Sequence, residues 1–132
     1  MKFRCERDHL VEALSAAGRA VANRGGALPV LAGVRAELTG NRLKLTGSDL
    51  ELTIAVELEV AGERDGVAVL PSKIASDLVR SLGDPRVEVS VEGDEAHITA
   101  GRFESSLRLL PADEFPRLAM PADEAVTLAA RD

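Results

Sequence analysis

Two histidines and one cysteine are the side chains best suited to metal or nucleophilic chemistry. Their spacing supports neither. His9 opens a helical pattern and His97 sits on a strand pattern; with the lone Cys5 they make no metal-ligand spacing. Cys5 lies on the apolar side of an alternating stretch and reads as an inert core thiol. The acidic residues fall on outward strand positions, turns and caps. Asp65-Gly66 and Asp94 read as turn residues, and nothing pairs them as acid and base. Gly25-Gly26 lacks the Gly-Lys-Ser/Thr continuation of a phosphate-cradling loop. What remains is charge. Lys73, Asp77 and Arg80 recur at helical spacing and form one exposed stripe, whose ordinary reading is a solvated helix face. The residues therefore point to recognition and not catalysis, with no cofactor and no metal.

Composition narrows what could be recognised. The chain has 132 residues, one domain's worth, with 45% hydrophobic and 29% charged residues. That length buries roughly two-thirds of its unfolded surface, so no disulfide or metal staple is needed. Sixteen basic residues against twenty-two acidic ones leave a net charge of −6. A uniformly basic nucleic-acid binder is excluded, while a basic patch on an acidic body is not. Three Phe and no Tyr or Trp cannot build an aromatic platform for single strands. A single cysteine forms no internal disulfide and fits a reducing cytoplasm. No apolar run approaches the ~20 residues of a membrane span, and Met1 to Glu6 alternates charged and apolar residues, unlike a signal peptide.

These residues must be positioned by elements of two periods. Leu50 to Val60 has every even position apolar (Leu50, Leu52, Ile54, Val56, Leu58, Val60), which predicts a strand with one buried and one wet face. Shorter alternations predict strands at Phe3 and Cys5, Val34 to Leu38, Leu43 to Leu45, Val67 to Val69, Val87 to Val91, Ala96 to Ala100, and Phe103 to Leu109. Thr39-Gly40-Asn41 and Gly93-Asp94 supply hairpin turns. Helical period appears over Asp8 to Ala22 and Ser72 to Leu82, with Asp8 and Ser72 as the expected N-caps and Gly83-Asp84-Pro85 as a stop. The order is strand, helix, three strands, then the same again. Two β-α-β-β-β units predict an α+β domain with two antiparallel sheets and two helices on one side. After Leu110 the chain turns irregular and proline-bearing. Ala125-Val126-Thr127-Leu128 then begins another strand pattern. The expected division is one domain over 1–120, with 121–132 a linker and the start of a truncated second domain.

Four segments carry a family resemblance. They are Met1-Lys2-Phe3 with Glu6-Arg7-Asp8-His9-Leu10, then Leu28-Pro29-Val30-Leu31, then Thr46-Gly47-Ser48-Asp49-Leu50-Glu51, then Leu110-Pro111-Ala112-Asp113-Glu114-Phe115-Pro116. In this order and spacing the chain resembles the N-terminal (first) domain of the bacterial sliding clamp, the beta subunit of DNA polymerase III. The resemblance spans essentially the whole chain but only the first of the family's three domains. It implies a DNA-clamp fold and a part in a head-to-tail dimeric ring around duplex DNA. Helices would line the hole and sheets the outside. The ring is a non-catalytic processivity factor that tethers the replicative polymerase and is placed on DNA by a clamp loader. The alternative is a stand-alone interaction module with a clamp-like domain, binding protein through its strand edges; chain length and assembly separate the two.

The resemblance also implies sites. Sequence-independent phosphate contacts fall to Arg19, Arg24, Lys73 and Arg80, on the helices or just after the first. Gly25-Gly26-Ala27 after Arg24 is one residue longer than the family's loop. Glu51, Glu57 and Glu59 on one strand face suit an outer surface turned from DNA. The joint to a second clamp protomer falls on the strand at Phe103, with Arg102, Phe103, Glu104, Ser105, Leu107 and Arg108, and Ile74 beside it. Ser105 stands where the family places an aromatic residue, and Glu104 where it places a base. By pattern alone, Phe103 and Leu107 are equally well read as core-facing.

Overall fold

The computed structural model describes residues 1–21, 33–48, 52–110 and 125–127. The strands are β1 (Lys2–Glu6), β2 (Gly33–Thr39), β3 (Arg42–Ser48), β4 (Thr53–Glu59), β5 (Ala61–Arg64), β6 (Gly66–Pro71), β7 (Arg86–Glu92), β8 (Glu95–Ala100), β9 (Phe103–Arg108) and β10 (Ala125–Thr127). The helices are α1 (Arg7–Gly18), after β1, and α2 (Ser72–Arg80), after β6. Gly40-Asn41 closes the β2–β3 hairpin and Gly93-Asp94 the β7–β8 hairpin. Both glycines have a φ of +60°, which the tight hairpin turn requires and a side chain would resist.

Among the described residues the strands form two five-stranded sheets, ordered β5-β1-β7-β8-β9 and β10-β4-β3-β2-β6. All pairs are antiparallel except β10 with β4, which is parallel. Each unit's opening strand leaves its own unit. β1 pairs with β7, from Lys2 opposite Ser90 to Glu6 opposite Arg86, while β6 pairs with β2. Both helices then pack on the sheet that contains β2, β3, β4 and β6, α1 against β3 and β4, and α2 against β2 and β6.

One apolar core results. Phe3, Leu10, Leu14, Leu38, Leu43, Leu45, Leu58, Val79, Val87 and Ile98 are all buried in a single cluster. The void within it is only about 10 Å³ and lined wholly by apolar side chains, so it offers a water molecule no partner. α1 contributes Leu10, Leu14 and Ala17, and α2 contributes Ala75 and Val79, at the spacing of one helical face.

Several expectations need correction. Neither Asp8 nor Ser72 caps a helix; Glu6 and Pro71 hold the cap positions without a side-chain bond. β1 runs directly into α1, and the Arg7 N–H donates to the Pro85 carbonyl 2.7 Å away, so a long-range backbone acceptor serves the first turn. Asp8 instead accepts from Arg7 at 2.8 Å. α1 ends at Gly18 and α2 at Arg80, earlier than the apolar period suggests. Leu50 lies outside the described residues, Leu52 is 51% exposed, and the strand starts at Thr53. The face opposite the helices is only partly wet: Thr46, Ala55 and Val69 lie on it and are buried, the Val69 carbonyl bonded to the N–H of Leu110. β5 was not expected, because Ala61-Gly62-Glu63-Arg64 has no apolar alternation; β1 recruits it by backbone pairing.

Gly47 marks the tightest approach of helix to sheet, since a Cβ there would overlap the Ala17 carbonyl at the end of α1. Gly47→Ala is therefore expected to lower unfolding free energy by about 1–3 kcal/mol, the usual range for overpacking. A lower urea midpoint at unchanged m-value would show it.

Candidate nucleic-acid interface and sheet edge

α1 and α2 lie against one another. Gly18 lies at this contact: a Cβ there would sit 3.1 Å from Ser72 Oγ, tight enough that the serine side chain would have to shift slightly. Between them runs an open groove of about 270 Å³, lined chiefly by Ser15, Arg19, Lys73, Ser76, Asp77 and Arg80. Arg19, Lys73 and Arg80 thus converge from two helices although they are far apart in sequence. All three are exposed.

The groove holds three cations to one carboxylate. Arg80 Nη1 lies 3.7 Å from Asp77 Oδ1, and both side chains are about 60% exposed, so water screens the pair and it contributes little. Arg80 Nη2 also reaches Ser15 Oγ and Ser76 Oγ at 3.4 Å each. These long contacts orient the guanidinium and leave it accessible. Ser15, Ser72 and Ser76 add hydroxyl donors that charge counting overlooked; their signal was small residues at helical spacing on facing helices. The arrangement suits a phosphate backbone, which needs positive charge and donors but no base-reading geometry. Arg24 lies outside the described residues.

The charge separation is local. Asp8 and Glu12 are exposed on α1 and do not line the groove. The strand face is mixed, with Arg35 bonded to Glu37 at 3.2 Å and Arg42 3.9 Å from Glu57. On the other sheet Lys2 and Arg4 pair with Glu63 and Glu88. Of the acidic strand face expected from Glu51, Glu57 and Glu59, Glu57 lies near Arg42, Glu59 is exposed, and Glu51 lies outside the described residues.

β9 is the edge of its sheet. Ile74 is 58% exposed and Phe103 43% exposed, while Arg102, Glu104 and Arg108 project into solvent and Ser105 is half-buried. Leu107 differs. It is buried at 7% exposure within the core cluster, opposite Ala96 of β8. Strand parity turns it inward, so its own domain already uses it, and the apolar character of the edge rests on Phe103 and Ile74.

Another cleft, of about 420 Å³, is lined by Arg4, Cys5, Glu6, His9, Asn41, Glu59, Val60 and Ala61. Burial, and secondarily Glu6, pushes the Cys5 thiol up to about 12, so it is no nucleophile at neutral pH. Among the described residues no group of His, Cys, Asp and Glu could hold a metal ion, and no helix is long and apolar enough to cross a membrane.

Residues 1–119 match the family model of the DNA polymerase III beta subunit, N-terminal domain. The chain belongs to this family. It is 35% identical over 118 residues to the beta sliding clamp of Streptomyces coelicolor, covering 89% of this chain and 31% of that protein. It is 33% identical over 120 residues to the beta sliding clamp of Vibrio harveyi, covering 89% of this chain and 82% of that sequence. The DNA polymerase sliding clamp structure from Bacillus subtilis superposes with a TM-score of 0.87 at 30% identity, over 93% of this chain and 34% of that one. The chain spans about a third of the length of the first curated relatives it matches. As a beta-subunit N-terminal domain it has the expected α+β clamp fold.

Two measurements separate core from surface. Leu107→Ala is expected to cost about 2–5 kcal/mol of stability, whereas the edge substitution Phe103→Ser should cost less than about 1 kcal/mol; urea unfolding of both variants reads the difference. The second concerns Cys5. Its folded thiol stays protonated to about 12 while the unfolded one ionises near 9.0. Between those values the unfolded state binds fewer protons, so stability falls as pH rises through that window. The urea midpoint should fall more steeply from pH 8.5 to 10.5 in the wild type than in Cys5→Val.

Proposed function

We propose that this chain is the first domain of a processivity clamp of bacterial DNA replication. In this reading it forms part of a ring that encircles duplex DNA and tethers the replicative polymerase. The observation that carries the proposal is the convergence of Arg19, Lys73 and Arg80 on one groove between the two helices, in a domain of the beta-subunit family. Arg24 joins them as a phosphate contact by family position. The domain catalyses nothing itself. Phosphate attraction without base contacts holds the ring near DNA and lets it slide, because each contact can be exchanged for the next along the backbone.

The β9 edge, with Arg102, Phe103, Glu104, Ser105 and Arg108 and with Ile74 nearby, supplies the joint to a second protomer by strand addition. Leu107 supports that strand from below. The clamp loader and polymerase act on the full-length clamp in the cytoplasm. Residues 1–120 are the first domain in this reading and 121–132 lead into the next. The family match over 1–119 supports that boundary.

The isolated domain is expected to bind duplex DNA weakly at low salt and to lose that binding as salt rises. Fluorescence anisotropy with a labelled duplex measures it. Lys73→Ala and Arg80→Ala should each weaken binding uniformly across sequences and reduce the salt slope by about one. Tight, salt-resistant binding, or binding unchanged in both variants, would refute the groove as the DNA surface.

A further inference from the structure

We propose that the β9 edge of this chain also pairs with the β9 edge of a second copy, antiparallel about a two-fold axis at Ser106. Among the described residues, β9 bonds along its length only to β8, from Phe103 opposite Ala100 to Arg108 opposite Glu95. Just beyond it, the Leu109 N–H donates to the Asp94 carbonyl at 2.8 Å. Backbone groups alternate in direction along an antiparallel strand. Those of Phe103, Ser105 and Leu107 therefore face β8, and those of Glu104, Ser106 and Arg108 face outward. These three outward residues also carry exposed side chains, in the order acid, hydroxyl, base. Among the described residues neither Glu104 nor Arg108 forms an ion pair.

Charge selects the register. A two-fold antiparallel pairing must set outward residues opposite outward residues. An axis at Glu104 opposes two glutamates, and an axis at Arg108 opposes two arginines. An axis at Ser105 sets Arg102 against Arg108, and an axis at Leu107 leaves Glu104 opposite Leu110. The axis at Ser106 pairs Glu104 with Arg108 of the second copy, and Arg108 with its Glu104, while using every outward backbone group of the strand. On the opposite face the same register brings the exposed Phe103 across from Leu109 of the second copy. Two five-stranded sheets then become one continuous sheet through a self-complementary contact. This contact is isologous, unlike the head-to-tail joint of a ring, and competes with it for the edge. It needs no DNA, so it stands or falls separately from the clamp reading.

Sedimentation equilibrium of the 132-residue chain across a range of concentrations tests the proposal. A reversible monomer–dimer equilibrium is expected. Glu104→Arg or Arg108→Glu alone places like charges opposite one another twice and should weaken the dimer by about tenfold or more. Combining the two restores opposite charges and should recover the dimer. Ser106→Pro deletes an outward N–H at the axis without removing a bond to β8, and should abolish pairing while circular dichroism stays unchanged. A chain that is monomeric throughout, a dimer indifferent to the single swaps or to Ser106→Pro, or a double swap that does not recover would each overturn it.

Discussion

The exchange of opening strands between the two halves is the constraint on which the domain rests. β1 completes the sheet of the second unit, and β6 completes the sheet of the first. Neither half can satisfy its own hydrogen bonds or bury its own apolar face without the other, so the pseudo-repeat folds as one body with one core. The contacts are long-range in sequence: Lys2 to Glu6 meet Arg86 to Ser90 across most of the chain. The exchange also places the helices. α1 follows β1 and crosses to the other sheet, onto β3 and β4, while α2 follows β6 and stays on that same sheet, so α1 and α2 end side by side. Gly18 and Ser72 meet where the helices come together, and the groove runs along that contact.

Electrostatics then acts on a shape already decided. A net charge of −6 is compatible with an anion-binding groove because much of the acid is engaged elsewhere. Glu37, Glu57, Glu63 and Glu88 face arginines or lysines on the strands. Each such exposed pair contributes little to stability. Together they flatten the field over the sheets, leaving Arg19, Lys73 and Arg80 as a concentrated positive feature. Asp77 moderates it, which suits a surface that attracts phosphate without gripping it.

The sheet edges are unequal. β10 lies along β4, and Leu110 bridges to Val69 of β6. Among the described residues, β9 has no such cover along Phe103 to Arg108. An uncovered edge invites strand addition unless charge or shape prevents it. Glu104 and Arg108 make that edge selective, since a partner strand must answer both signs. Phe103 rewards the partner that fits.

Much of the local structure was legible in the chain. Gly40-Asn41 and Gly93-Asp94 announced their hairpins, because a positive φ between alternating apolar runs has few other uses. The apolar faces of α1 and α2 followed from 3.6-residue spacing, and Val56 and Leu58 from period two. Four ordered motifs pointed to the family. Periodicity reports which face of an element is apolar, and that is a property of neighbouring residues. It could not report which strands exchange sheets, that Pro85 caps α1, or that β5 forms on β1. Nor could it settle whether Leu107 faces core or partner, or that Arg19 and Arg80 line one groove. Those outcomes depend on groups brought together from distant parts of the chain, where backbone pairing and close packing decide position after local preference has been spent. Sequence alone determined most of the elements, their apolar faces and the family; the tertiary structure decided β5 and which elements meet, and therefore where charge and open edge are presented.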